Sequence, residues 1–153
     1  MIAGKLMRRL ALSALALLAA ATPSSRAAAD PRLDYMLHCR GCHGPDGEGA
    51  PGAAPDFRGQ VGKFLWVPGG REYLIRVPGA AQSELDDART AALLTWLVRE
   101  FSAAEVPADF VPYKAEEVGR HRHDALLDVW AARYELLRAI EQRQAAHSKA
   151  PAP

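Results

Sequence analysis

Cys39-Arg40-Gly41-Cys42-His43 is the stretch that decides what this chain becomes. On a helix, positions i, i+3 and i+4 share one face, so two thiols and one imidazole stand side by side. Two thioether bonds to a porphyrin and an axial bond from the imidazole to its iron would use all three, and C-x-x-C-H is the attachment pattern of c-type haem. The chain has no other cysteine. A structural zinc site of the paired-cysteine kind needs a second Cys or His pair at defined spacing, and there is none. A thioredoxin-like pair follows a β-branched strand, but residues 32–38 contain no Val, Ile or Thr. A disulfide closing so short a loop would constrain the unfolded chain little. One covalent haem c is therefore expected, attached through Cys39 and Cys42 with His43 as the proximal iron ligand.

Upstream of the motif, Asp30 suits an N-cap and Pro31 a first helical position, which predicts a short helix running into Cys39. Residues 1–29 read as a leader rather than as part of the fold. Lys5, Arg8 and Arg9 form a positive start, and Leu10 to Ala21 is an uncharged Leu/Ala-rich run. Ala27-Ala28-Ala29 offers a small-residue cleavage site. The run is shorter than the roughly 18 residues of a membrane span, so no integral span is expected once the leader is cleaved; an uncleaved anchor is the alternative. The reading is of an exported, periplasmic protein, the compartment in which bacteria attach haem covalently.

Once Lys5, Arg8, Arg9 and Arg26 leave with the leader, 15 basic residues face 18 acidic ones, a net charge of −3. That balance argues against nucleic acid or an anionic membrane as partner. No Gly-rich phosphate loop, HExxH, GxSxG or paired-acid motif is present, and there are no internal repeats. Asp30 to Pro153 suffices for one small domain, divided here into a core over 30–104 and a C-terminal linker and amphipathic helix over 105–153.

The expected architecture is all-α. Beyond the motif, Gly44 to Gly70 is rich in Gly and Pro, with few residues that favour a helix. Arg71 to Val77 and Ser83 to Phe101 read as helices, the second with Leu85, Ala92, Leu93, Trp96 and Leu97 at helical spacing. After Pro107 and Pro112, one long polar helix is expected from about Lys114 to Gln144, with a frayed tail from Ala145. No period-2 run predicts a strand.

Residues 31–101 resemble a class I cytochrome c, a small all-helical fold around one haem. Tyr35, four residues before Cys39, sits where that family has an aromatic on its first helix. Leu93-Leu94-Thr95-Trp96-Leu97 resembles the family's last core helix, which crosses the first, so Tyr35 and Trp96 are expected buried at the crossing. Cys42-His43-Gly44-Pro45-Asp46-Gly47-Glu48-Gly49 is similar to its post-motif loop, and Ala54-Pro55-Asp56-Phe57-Arg58-Gly59 to its P-x-L-x-G element. The resemblance implies that the Pro55 carbonyl accepts the Nδ1–H of His43, a bond that orients the ring and raises its basicity.

The chain departs from that family on the distal side. The usual methionine would fall near Val77-Pro78-Gly79 and is absent; Met1 and Met7 belong to the leader, and Met36 lies too close to Cys39 to reach the opposite haem face. The distal ligand is thus unknown. An open or weakly capped site is expected, with His121, His123, Lys63 and Gln82 as candidates; His38 is badly placed and His147 lies in the tail. The C-terminal helix, outside the family core, either packs on the haem domain, burying Trp130 and Leu137, or docks a redox partner. The resemblance implies an electron carrier or redox subunit, not an enzyme, that exchanges electrons with partner proteins. The alternatives are a haem protein that binds or turns over a small ligand (NO, CO, O2 or peroxide) and a haem subunit of a periplasmic dehydrogenase.

Overall fold

Asp30 starts the fold by accepting hydrogen bonds on Oδ1 from the backbone N–H of Arg32 and Leu33, at 2.9 and 3.4 Å, and Pro31 occupies the first turn. This computed structural model describes residues 30–149, so the expected leader and the last four residues lie outside the described residues. Helix α1 (Pro31–His38) ends at Cys39, which caps the one-turn helix α2 (Arg40–His43). Gly44 then turns the chain away with φ +73°, a conformation that a side chain would strain.

From Gly44 to Gln60 the backbone is irregular apart from an isolated bridge between Ala50 and Ala54. The expectation of little helix fails in the second part of the Gly/Pro-rich stretch. Val61–Trp66 forms a 3-10 helix, and its Val61 and Phe64 are 3 and 2% exposed. Local propensity does not account for it; packing against the later helices does, the usual source of helical stability in proteins. Helix α3 (Gly70–Arg76) starts so close to this turn that a Cβ on Gly70 would stand 1.9 Å from the Phe64 carbonyl oxygen. A single short turn, α4 (Pro78–Ala81), follows.

Helix α5 (Asp87–Ser102) is the central element. It begins later than the periodicity suggested, because the Asp86 side chain caps it by accepting from the Arg89 N–H at 2.8 Å. Leu85 is buried just ahead of it. α1 crosses α5: the Tyr35 ring lies 5.5 Å from Trp96 and 5.0 Å from Phe101. Tyr35 is 1% exposed, whereas Trp96, expected to be equally buried, is only partly so. The crossing also carries charge, since the buried Asp34 of α1 pairs with Arg89 of α5.

The single long C-terminal helix is overturned. The chain forms α6 (Ala115–His121) and α7 (Val129–Lys149), interrupted at 122–128. The break arises because Arg122 turns inward. Its side chain, 8% exposed, donates to the carbonyls of Ala81, Ser83 and Leu85 and to the Asp87 carboxylate. The chain restarts where Asp128 Oδ1 accepts from the Ala131 N–H at 2.9 Å. α7 continues through Ala145, where fraying was expected. Trp130, expected buried if the helix packs, is 60% exposed, while Leu137 packs against the core and Ile140 is 3% exposed. The fold is all-α, and among the described residues no helix is long and apolar enough to cross a membrane.

Candidate functional site

The short turn α2 gathers the sequence-derived candidates. The backbone N–H groups of Cys42 and His43 both donate to the Cys39 carbonyl, at 3.1 and 3.0 Å, which holds the two thiols and the imidazole within one helical turn. Both thiols are free; Cys39 is half-buried and Cys42 exposed. Burial, with Asp34 and Cys42 adding to it, pushes the Cys39 thiol up to about 11, so it stays protonated at neutral pH.

His43 is fixed from two sides. Its Nδ1 lies 3.0 Å from the Pro55 carbonyl oxygen. A carbonyl can only accept, so Nδ1 carries the proton and Nε2 is left with a free lone pair. This is the contact that the resemblance assigned to Pro55. Burial lowers the imidazole pKa, the Pro55 carbonyl opposes that shift and the charge of Arg133 adds to it. A neutral ring is the form that ligates a metal. The Phe57 ring stacks on His43 with centroids 3.9 Å apart and planes 19° from parallel. Phe57 in turn lies 6.0 Å from Phe101, so the ring's orientation is tied to α5.

Tyr35 does more than pack. Its hydroxyl donates to the Gly44 carbonyl at 2.6 Å, just after His43, and burial raises its pKa to about 12. Sequence reasoning missed that bond, as it missed the stacking of Phe57 on His43 and the charges of Asp34 and Arg133 that act on Cys39 and His43. Only the aromatic identity of Tyr35 and Phe57 was a signal; the two charges carried none.

The distal candidates are dispersed. Val77 ends α3, half-buried against the core, ahead of Pro78 and Gly79. Lys63 Nζ is 3.3 Å from Gln60 Oε1. Gln82, His123 and His147 are exposed, and His38 is exposed at the end of α1. His121 is half-buried with its Nδ1 3.8 Å from Asp124 Oδ2. The patch 120–123, read as solvated, is solvated only in part, because Arg122 at its centre is buried. Met36 stays on α1, packed against the core. Among the described residues no three His, Cys, Asp or Glu side chains converge on a common metal position.

The donor set therefore fits a covalently attached porphyrin: two free thiols and a neutral imidazole with Nε2 available, all within one turn. No protein-family model matches the chain. It is 35% identical over 102 residues to a cytochrome c-552 of Thermus thermophilus, an alignment that covers 55% of this chain and 78% of that protein. It has the same identity to a second Thermus thermophilus cytochrome c-552, from a named strain, of which 69% is covered.

Proposed function

The chain belongs to the cytochrome c family, and we propose that it is an exported monohaem carrier that passes electrons between partner proteins outside the cytoplasm. Haem c supplies the chemistry, a one-electron change at iron between the ferric and ferrous states. The chain's residues do the holding and tuning. Cys39 and Cys42 anchor the porphyrin as thioethers. His43 offers Nε2 as the proximal ligand while Pro55 holds the proton on Nδ1. Phe57 and Tyr35 keep the ring and the motif's last turn from moving, so little reorganisation accompanies a change of charge.

The observation that carries this reading is the His43–Pro55 contact at 3.0 Å beside two unpaired thiols, which together prepare one ligand and two attachment points. No general base or nucleophile is needed. On the distal side Val77 has no lone pair to offer, so a bound iron would be left five-coordinate or weakly capped. Its potential would then lie below that of Met/His relatives, because a methionine ligand raises it.

Denaturation followed by acid and organic extraction tests the attachment. Haem should stay with the chain, and complete extraction would refute the thioethers. His43→Ala should abolish the fixed axial ligand and the yield of holoprotein, and an unchanged spectrum would exclude His43. Prompt CO binding by the ferrous protein is expected of an open distal side. A low-spin ferric spectrum that turns high-spin in His121→Ala or His123→Ala would show a capping histidine instead.

A further inference from the structure

Helix α7 lies outside the region that resembles the family, and its two faces differ in character. On one, Ile140 is 3% exposed, and Ala132 and Leu136 pack against the core. The outer face carries Trp130 and Tyr134, 60 and 61% exposed; four residues apart on a helix, they lie one above the other. Leu127, fully exposed just ahead of the helix, extends the stripe at one end. Arg138 extends it at the other, with its Cζ 5.9 Å from the Tyr134 ring centroid. Single exposed apolar residues are ordinary on a protein surface, but three on one stripe form a patch of the kind that marks a contact surface.

The charges along the stripe decide which occupant fits it. Asp124 and Asp128 are exposed at its N-terminal end and Arg138 at its far end, about 15 Å beyond Asp128 along the helix. Glu135 and Glu141 stand one turn to either side of Arg138, yet among the described residues Arg138 forms no ion pair. Acid, aromatic pair and base in that order match their own reverse. A second copy laid antiparallel sets each Trp130 against Tyr134 of the other copy, and each Arg138 against the other copy's Asp124 and Asp128. That is the isologous contact of a two-fold dimer, and every favourable pair in it occurs twice. At their observed exposure the two rings and Leu127 offer roughly 400 Å² per copy, about half of the ~800 Å² per partner in a standard interface. The pairing is therefore weak and concentration-dependent, with a dissociation constant on the order of 100 µM.

We propose that α7 is a self-association helix, through which two copies of the chain pair antiparallel by Leu127, Trp130, Tyr134 and Arg138. Packing of α7 on its own core uses the opposite face, so the pairing needs no rearrangement of the fold. The proposal is independent of the haem reading. It gives the exposed Trp130 a use that neither packing on the haem domain nor docking of a redox partner supplies.

Sedimentation equilibrium of the purified holoprotein tests the pairing, at concentrations from about one tenth to about ten times the expected dissociation constant. The mass should rise from that of one chain toward that of two and stop there. Trp130→Glu, at an exposed position, should weaken association about tenfold or more. If that variant loses helical content by circular dichroism, Tyr134→Ala, which adds no charge, reads the same loss. Arg138→Glu and Asp124→Arg should each weaken association, and the two together should restore it, because Asp124 and Arg138 lie too far apart along one chain to pair within it. Failure of the double reversal to restore pairing would overturn the antiparallel arrangement. A chain that stays monomeric throughout leaves the stripe to a different partner and overturns the proposal. So does a dimer indifferent to Trp130→Glu, or a mass that climbs past two chains.

Discussion

Between Asp30 and Glu105 the chain is held by rings and aliphatic side chains that meet one another, whereas from Val106 onward apolar packing is joined by arginines bonded to carbonyl oxygens. In the first region Tyr35, Trp96 and Phe101 form one aromatic cluster and Phe64 and Tyr73 another, around the buried Ile75, Leu93, Leu94, Leu97 and Val98. In the second, Tyr113, Val118 and Ile140 reach the core, and polar ties between the regions are added to that packing. Arg71 donates to the carbonyls of Val111 and Pro112 and pairs with Glu117. Arg76 donates to the Asp124 carbonyl at 2.7 Å, Arg122 to three carbonyls of the 81–85 segment, and Arg143 to the Trp66 carbonyl. Apolar burial is non-directional and scales with area. A guanidinium fork instead satisfies particular backbone oxygens that would otherwise lose their partners. The first mode builds a core against which Cys39 of the candidate haem site packs; the second fixes where an added segment lies on it.

The largest effect expected from that contrast is at Tyr35. Tyr35→Ala removes a fully buried ring, and with it the bond to Gly44, and should cost about 3–5 kcal/mol in urea unfolding. Tyr35→Phe, which keeps the ring, should cost about 1 kcal/mol. Near-equal losses in the two variants would show that the hydroxyl rather than the packing dominates, and would break the comparison.

Arg122→Met tests the second mode. It strips the partners from three carbonyls and Asp87, and should cost roughly 1–3 kcal/mol, with faster amide exchange in α6 and little change around Tyr35. An exchange increase spread evenly over α1 and α5 would mean that the two regions unfold as one unit.

Glu117→Gln sharpens the same point through pH. The Arg71 guanidinium holds the Glu117 carboxyl below its ordinary value. A folded pKa lower than the unfolded one adds stability that is present above the unfolded pKa and is lost as pH falls through the folded one. The variant should therefore be less stable than wild type by roughly 1.5–3 kcal/mol at neutral pH. The gap should close as the pH is taken below about 4, near the ordinary glutamate pKa. A gap independent of pH would show that the Arg71–Glu117 pair acts by shape rather than charge.

The smallest effect should be at Trp130. At 60% exposure, its replacement by Ala should change stability by no more than about 0.5 kcal/mol. A larger loss would show that the start of α7 packs more tightly than its exposure indicates.

What the sequence determined by itself is whatever depends on short spacing. Cys39, Cys42 and His43 share a turn because a helix repeats every 3.6 residues, and Asp30-Pro31 starts α1 because a side-chain acceptor and a fixed φ suit that position. The apolar spacing of Leu93, Leu94 and Leu97 marked α5 for the same reason. What only the tertiary structure decided involves partners distant in sequence. The 3-10 helix 61–66 exists because Phe64 has Tyr73 to stack on, and the helix expected over 114–144 breaks because Arg122 finds acceptors some forty residues upstream. A backbone carbonyl offers the same oxygen whatever side chain it carries, so no residue pattern announces where an arginine will bind it. Bonds of that kind set the position of the C-terminal segment.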